Sequence, residues 1–261
     1  MRRADIRRAR LALLVLLATG CSQLDVGSDL LFSARFETGD FSEWTNVPGG
    51  EAQAFPTPPN TIAVANTNAH TGTHAAALTI TAGSDGAQEN ALLSLTQNLP
   101  QQAYYSAWYY LPHSVSVGTF WVLMKFRQRT NPTDASTTAE LYDLDLATQP
   151  SGEMTLQLFS HATNAIIPLD TPDPLVPVEG WFQIEADYRS ANDATGRLTY
   201  WLNGQQVYDR SGQATSPSSW VEWDVGSVGE NLTPSTVTIY VDDCAVSRSR
   251  VGPNGALVDP N

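Results

Sequence analysis

The sequence of 261 residues has only two cysteines, Cys21 and Cys244. A disulfide framework is therefore excluded, and the fold must be held by a buried core. No Gly-x-Gly-x-x-Gly, Walker or His-Glu-x-x-His motif occurs, which excludes the common nucleotide sites and one common type of zinc site. Long helical periodicity is also absent, and no apolar run is long enough to span a bilayer.

Basic residues are scarce. There are 14 lysines and arginines against 27 aspartates and glutamates, and the first ten residues hold five of the basic residues but only one acid. The remainder of the chain carries a net charge of about −17. Nucleic acids and anionic lipid surfaces attract proteins through a basic field, so we expect neither nucleic-acid binding nor general binding to an anionic surface.

The N-terminus has the pattern of an export signal. A charged segment, MRRADIRRAR, precedes the apolar run LALLVLLAT and then a small residue before Cys21. LATGC resembles the lipobox of bacterial lipoproteins, although Ala18 stands where that motif prefers leucine. The resemblance implies a signal peptide over 1–20, lipidation of Cys21, a lipid-anchored tether over 21–30 and location in the bacterial cell envelope. The alternative is a plain secretory signal cut near Cys21.

The rest of the chain predicts an all-β domain. About a dozen short runs rich in β-branched and aromatic residues recur between clusters of turn residues, which is typical of a sandwich of two antiparallel sheets. GRLTYWLNGQQVYD is the clearest hairpin, because Asn203-Gly204 suits a two-residue turn between alternating strands. Cys244 lies in the strand-like run VTIYVDDCAVS, so we expect it to be buried and unreactive. We predict one domain over 31–250 and a tail over 251–261.

Six segments, in this order, resemble those of concanavalin A-like jelly rolls, a superfamily that includes laminin G-like domains, carbohydrate-binding modules and polysaccharide lyases. They are FETGDFSEW, AHTGTHAAALTI, YYSAWYYLP, GWFQIEADYR, GRLTYWLNGQQVYD and IYVDDCAVS. The resemblance covers nearly the whole chain after the signal. It implies a jelly-roll fold and leaves the activity open, because this fold supports many activities.

The resemblance also implies a structural calcium ion between the first and last strands. Glu37 and Asp242 occupy the positions of its carboxylate ligands, and Asp40 or Asp243 offers a further oxygen. Calcium takes six to eight oxygen ligands, which suits carboxylates and carbonyls around a tight turn. The alternative is that FETGDFSEW is only a turn whose aromatic residues anchor the chain start. Both interpretations give this segment a structural role.

The run TFWVLMKFRQR contains a candidate glycan-binding face. Strict alternation along a strand would place Trp121, Lys125, Arg127 and Arg129 on one side. Three cations in a row would match the carboxylates or sulfates of an acidic polysaccharide, and a tryptophan would stack on a sugar ring. The alternative is a solvated face whose cations pair with carboxylates on neighbouring strands, such as Asp143, Asp145, Glu185 and Asp187.

Catalysis is the second hypothesis. Elimination from a uronate needs a group that neutralises the carboxylate, a base and an acid, and the jelly-roll lyases commonly use Arg, Gln or Asn, His and Tyr. Residues of these types are present: Arg127 or Arg129, Gln157, His161 and Tyr142. The short motifs of those lyases are absent. Asp143-Leu-Asp145 is the nearest match to a glycosidase strand, without a following glutamate.

The sequence therefore favours an exported, monomeric jelly-roll lipoprotein that binds a polysaccharide, possibly acidic, without catalysing a reaction. The alternative is a divergent polysaccharide lyase acting on an acidic, uronate-containing glycan. A third interpretation is a structural envelope lipoprotein that binds no sugar. Binder and lyase differ in whether Arg, Gln, His and Tyr converge in one cleft. Binder and structural protein differ in whether the face with Trp121 and Lys125 is open or covered by a loop.

Overall fold

The computed structural model describes residues 29–55, 58–96, 99–131, 133–218 and 220–255, so the predicted signal peptide and Cys21 lie outside the described residues. Almost all regular structure in these residues is β. There is one short helix, α1 (Ser42–Thr45), and a single 3₁₀ turn at Ala135–Thr137. The strands are β1 (Leu30–Ala34), β2 (Gly50–Phe55), β3 (Thr61–Ala65), β4 (Ala75–Thr81), β5 (Glu89–Leu95), β6 (Gln102–Tyr110), β7 (Ser116–Arg129), β8 (Thr138–Thr148), β9 (Met154–Ser160), β10 (Ala165–Ile167), β11 (Trp181–Arg189), β12 (Gly196–Leu202), β13 (Gln205–Gln213), β14 (Val221–Thr233) and β15 (Thr236–Ser247).

The strands form two antiparallel sheets. The eight-stranded sheet has the order β13-β12-β11-β6-β15-β4-β3, with β1 paired to β15, and the seven-stranded sheet has the order β10-β9-β8-β7-β14-β5-β2. They pack as a sandwich, which confirms the predicted jelly roll. None of the helices in the described residues has the length and hydropathy to cross a membrane.

A single core fills the space between the sheets. Its side chains come from alternate positions of both sheets, and its largest fully buried side chains are mostly aromatic. Trp44, Trp121 and Trp223 are fully buried, and Cys244 lies in the same core, as its strand pattern predicts. Burying each large side chain contributes about 1.5–3 kcal/mol, so the core can hold the fold without disulfides.

The hairpin between β12 and β13 forms as predicted. Asn203 and Gly204 have φ angles of 50° and 79°, both left-handed, as a type I′ turn requires. Leu202 pairs with Gln205 directly across this turn. The turn therefore sets the register of two strands at the edge of the eight-stranded sheet.

Candidate functional site

Strand β7 does not alternate strictly, and this changes the predicted glycan-binding face. A bulge at Leu123, between Val122 and Met124, inserts one extra residue opposite β8. Trp121 consequently points into the core, where it is fully buried and its indole N–H donates to Ser227 Oγ at 2.8 Å. Lys125 lies on the opposite, outer face. The prediction that Trp121 shares a face with the cations is wrong, and its ring is not available to a sugar.

The outer face of the seven-stranded sheet, which points away from the core, carries a set of charged and polar side chains. Two rows cross the sheet, because Asp224, Lys125 and Asp143 are register partners and Arg127 pairs with both Glu222 and Glu140. Asp145 and Gln157 are partners on β8 and β9. The outer-face cluster is defined here as Lys125, Arg127, Glu140, Asp143, Asp145, Gln157, His161, Glu222 and Asp224.

Lys125 is held by two carboxylates. Its ammonium donates to Glu140 and lies 3.8 Å from Asp143. The side chain is only 5% exposed. Burial alone would lower the pKa of Lys125, but the charges of Asp143 and Glu140 outweigh it and raise that pKa. Lys125 therefore keeps its positive charge, but the two carboxylates balance that charge, so it is not free to attract a ligand.

The two arginines of the predicted basic row are also paired. Arg127 donates to Asp224 at 2.8 Å and lies 3.4 Å from Glu222, and Arg129 lies 2.6 Å from Glu222. Both carboxylates are completely buried beneath the guanidinium groups. Burial raises the pKa of Glu222, and the two arginines partly offset that rise. The row therefore lacks the free positive charge that an acidic polysaccharide would need.

Two of the expected carboxylate partners lie elsewhere. Glu185 and Asp187 belong to β11 in the eight-stranded sheet, so they cannot reach the cations of β7. Glu185 accepts instead from Arg250 Nε at 2.9 Å and from the backbone N–H of Val251 at 2.7 Å. Asp187 lies 3.3 Å from Arg197. This part of the predicted pairing is wrong, because sequence alternation does not tell which strands are neighbours.

His161 directly follows β9, which ends at Ser160, and lies beside the cluster. Its Nε2 lies 2.9 Å from Asp143 and 3.3 Å from Glu140. The hydrogen bond with Asp143 raises the pKa of His161, although partial burial opposes the rise. Phe159 contacts the ring edge-on at 5.0 Å. These contacts fix Nε2 on the carboxylates and leave Nδ1 as the ring nitrogen that can meet a ligand.

Asp145 differs from the other acids of the cluster because, among the described residues, it makes no ion pair, whereas Glu140, Asp143, Glu222 and Asp224 each do. It is 6% exposed, and its Oδ1 has no hydrogen-bond partner among the described residues. Burial, with the charge of Asp143 nearby, raises the pKa of Asp145 to about 8. A carboxyl group that is neutral at pH 7 is a hydrogen-bond donor, which an ionised carboxylate is not.

The predicted lyase set is only partly brought together. Gln157 and His161 lie on the outer face with Arg127. Tyr142 does not join them, because it faces Phe126 in register and packs in the core against Tyr188. The prediction of Tyr142 as a site residue is therefore wrong, because its ring lies in the core.

Three carboxylates of the cluster were not predicted as site residues. Glu140 reaches Lys125 because a second bulge lies where Phe126 and Arg127 pair with β8. Glu222 and Asp224 lie on β14, whose alternation Val-Glu-Trp-Asp-Val is visible in the sequence. That pattern predicts two carboxylates on one face. It does not reveal that β14 lies beside β7.

Glu140, Asp143 and His161 also form a possible metal site. One ligand atom from each lies within 4.8 Å of the others. The ammonium group of Lys125 already contacts both carboxylates. The same oxygens would have to release this ammonium in order to bind a metal ion, so we assign the cluster no metal.

The residues of the predicted calcium site hold the turn over 70–74 and the chain start. Glu37 accepts from the backbone N–H groups of Thr73 and His74, both at 2.9 Å, and Asp242 accepts from that of His70 at 2.9 Å. Asp40 accepts from Ser42 N at 2.9 Å in a local turn. The carboxylate oxygens therefore face N–H donors, which is not the arrangement of a calcium ligand set. Calcium at these residues stays a prediction.

A cavity of about 490 Å³ adjoins the cluster. It lies between β8, β9, β10 and the segment over 168–173, and Gln157 is one of its lining residues. Ile166, which also lines it, is 55% exposed. The cluster and the cavity together make a continuous surface of polar and apolar character, as ligand sites commonly do.

Comparison with known proteins identifies the fold and no family. No family model and no curated protein matches the sequence. Among solved structures, an endo-β-1,4-glucuronan lyase from the fungus Trichoderma reesei is similar over 87% of this chain and 100% of its own, with a TM-score of 0.67 and 14% identity. The cellulose-induced protein Cip1 is similar over 85% and 99%, with a TM-score of 0.59 and 17% identity. A carbohydrate esterase from the Shiga toxin-encoding bacteriophage phi24B is similar over 85% and 99%, with a TM-score of 0.52 and 13% identity. At these identities the likeness shows the jelly-roll fold alone.

Proposed function

We propose that this protein cleaves a uronate-containing polysaccharide by β-elimination on the outer face of the seven-stranded sheet. The observation that carries the proposal is Asp145, a buried carboxyl group with a pKa of about 8, beside the hydrogen-bonded pair of His161 and Asp143. Titratable groups held in different protonation states mark acid–base sites. A polar group left buried without a partner costs about 1–3 kcal/mol, so a functional reason is expected for it.

Catalysis fits the cluster better than binding by a basic row. Lys125, Arg127 and Arg129 are all paired with carboxylates of the described residues. Most of their charge is therefore compensated locally, and a polyanion would have to compete with the pairing. The neutral carboxyl group of Asp145 and the free Nδ1 of His161 can contact a substrate without breaking such an ion pair.

The residues present can carry out each part of the elimination. The carboxyl group of Asp145 and the amide of Gln157 donate hydrogen bonds to the uronate carboxylate, which makes the neighbouring C5 proton more acidic. Nδ1 of His161 removes that proton, and the electron pair of the C5–H bond forms the C4–C5 double bond. The C4–O4 bond breaks, and the imidazolium returns the proton to O4. Asp143 stabilises the imidazolium in between.

The fold is consistent with this substrate class. The Trichoderma protein, which shares the fold over its whole length, is a glucuronan lyase. A jelly roll of this size can therefore hold a uronate polysaccharide. The similarity does not extend to the residues used, so the roles above rest on this chain's own geometry.

The test follows ultraviolet absorbance, which rises when the C4–C5 double bond forms, during incubation with a panel of uronate polysaccharides. We expect a steady rise with the unmodified protein and a loss of at least about 100-fold in kcat/KM for His161→Ala, as for a missing acid–base group. His113→Ala is the matched control, since this histidine is exposed in a loop.

Gel retardation in the same samples separates the alternatives. Retardation without a rise in absorbance would contradict catalysis and favour the second candidate, a glycan-binding protein without activity. Phe159 supports that candidate, because its half-buried ring lies on the same face beside His161 and offers a surface for a sugar. The absence of both signals would contradict both candidates.

Export and lipid anchoring at Cys21 are proposed from the N-terminal pattern alone. Labelling with a radioactive fatty acid in a bacterial host tests them. The full chain should incorporate label and fractionate with membranes, and Cys21→Ala should lose both properties. Unlabelled protein in the membrane-free fraction would favour the plain secretory signal.

A further inference from the structure

The cavity beside the outer-face cluster is placed to receive a second sugar residue. Gln157 belongs to both, because it lies opposite Asp145 in register and also lines the cavity. Its volume of about 490 Å³ is within the range of ligand pockets. A polysaccharide with one residue at Asp145 would extend its neighbouring residue into this cavity.

The cavity lining is poor in charge. Among the described residues that line it, Asp173 is the one charged side chain, and no lysine, arginine or histidine is present. The polar side chains are amides and hydroxyls, such as those of Gln149 and Thr148. A uronate carboxylate there would lose water without gaining a cation, and it would be repelled by Asp173.

One wall of the cavity is apolar. Ile166, Ile167, Pro168 and Leu169 follow one another along it. Ile166 is more exposed than any other large apolar side chain of the described residues. Sugar rings present patches of C–H groups, and acetyl or methyl substituents enlarge them. Such a wall suits an uncharged sugar residue.

We propose that this cavity binds an uncharged sugar residue next to the cleaved uronate, so that the preferred substrate alternates uronates with neutral sugars. This inference rests on the proposed β-elimination and goes further, because it names the neighbour that the enzyme accepts. A polymer made only of uronates is the disfavoured substrate.

The test compares kcat/KM for two polymers, followed by the absorbance of the new double bond. Glucuronan consists of uronates only, whereas hyaluronan alternates glucuronate with uncharged N-acetylglucosamine. We expect hyaluronan to be cleaved at least about tenfold more efficiently, since burying an unpaired carboxylate costs more than 1.4 kcal/mol, the equivalent of a factor of ten.

Two substitutions make the test independent of the different linkages in the polymers. Ile166→Lys places a cation on the cavity wall and should raise kcat/KM for glucuronan about fivefold without a similar gain for hyaluronan. Leu31→Lys is the matched control, because Leu31 is also an exposed apolar residue, at 40%, but lies on β1 in the other sheet. It should change neither value.

The outcomes separate this inference from the proposed function. Equal or faster cleavage of glucuronan, with no gain from Ile166→Lys, would overturn the neutral-sugar cavity and leave the elimination intact. No cleavage of any uronate polymer would instead overturn the proposed function, and the inference with it.

Discussion

At the scale of single residues, Asp145 combines two unusual properties. Its carboxyl group faces outward from the sheet, yet it is 6% exposed, and its pKa is raised to about 8 by burial and by the charge of Asp143. In the unfolded chain the same carboxyl group has a pKa near 3.9. Folding therefore keeps Asp145 protonated over a wide pH range in which the unfolded chain would ionise it.

This difference makes a prediction for stability. Because the pKa of Asp145 is higher in the folded than in the unfolded chain, its carboxyl group contributes fully to stability below the unfolded pKa. This contribution to the free energy of unfolding is lost as the pH rises towards about 8. Asp145→Asn, which keeps a neutral side chain, should thus raise the free energy of unfolding by about 2–5 kcal/mol near pH 8 and change it little near pH 4. Urea unfolding at the two pH values measures this.

The exposed loop residue Asp193 is the control for that experiment. Asp193→Asn should lack the large gain near pH 8. An equal effect of Asp145→Asn at both pH values would show that its pKa is not raised by folding.

Arg127 makes a second prediction at the residue scale. Its guanidinium covers Asp224 and Glu222, which are completely buried. Arg127→Ala should lower the free energy of unfolding by about 3–5 kcal/mol, because it leaves the buried Asp224 without its ion-pair partner and Glu222 with Arg129 alone. Urea unfolding at neutral pH measures the loss. Arg210→Ala, which removes an exposed ion pair with Asp170, should cost less than about 1 kcal/mol. Similar losses in both variants would contradict the account.

At the scale of elements, the two bulges of β7 against β8 decide which side chains form the site. The bulge at Leu123 turns Trp121 inward, and the other brings Glu140 to Lys125. Without the bulge at Leu123, strict alternation would place Trp121 on the outer face with Lys125. The first bulge lies in β7, whereas the extra residue of the second is Leu141 in β8, and the 14 residues of β7 still pair with β14 on the other side.

Trp121 tests this description of β7. Trp121→Phe should lower the melting temperature by several degrees, because it removes buried volume and the hydrogen bond to Ser227. It should leave polysaccharide retardation and KM unchanged. Calorimetry and gel retardation measure the two effects. A weakened interaction with polysaccharide at unchanged stability would show that the ring contacts sugar.

At the scale of the whole molecule, the two sheets have different roles. The seven-stranded sheet carries the outer-face cluster, whereas the outer face of the eight-stranded sheet is partly covered by the chain after Ser249. Glu185 accepts three hydrogen bonds from this segment, and Gln183 donates to Gly252 O at 3.0 Å. The predicted tail therefore begins as part of the packed structure.

Truncation after Ser249 tests the separation of roles. It removes these hydrogen bonds and the contact of Arg250 with the ring of Trp201, so the free energy of unfolding should fall by about 1–3 kcal/mol. Cleavage and retardation measured well below the melting temperature should not change, because the site lies on the other sheet. A selective loss of activity in a folded truncated protein would contradict this.

The sequence predicts the fold and much less of the site. Alternation and turn residues identify the strands, and Asn203-Gly204 sets a hairpin, because these signals are local. The faces of β7 cannot be predicted, since a bulge has no reliable sequence pattern. The pairing of Arg127 with Asp224 depends on β14 lying beside β7, which is a property of the topology.

The raised pKa of Asp145 likewise cannot be predicted from the sequence. The sequence shows two aspartates one residue apart, but it does not show how deeply the sheet buries one of them. Simple alternation along EMTLQLFSH predicts one face for Gln157 on β9 and for His161, which follows it, and the outer-face cluster contains both. The candidate site thus follows from local pattern where the strands are regular and from tertiary structure where they are not.

The most direct test of the account is the pH dependence of kcat/KM for elimination on a uronate polysaccharide, measured for the unmodified protein and for Asp145→Asn. Ionisation of Asp145 removes its proton from the uronate carboxylate, so activity of the unmodified protein should fall above a pH of about 8. Asp145→Asn, whose amide cannot ionise, should lack this falling limb. The same decline in both proteins, or no elimination at any pH, would contradict the claim that Asp145 and His161 form an acid–base site.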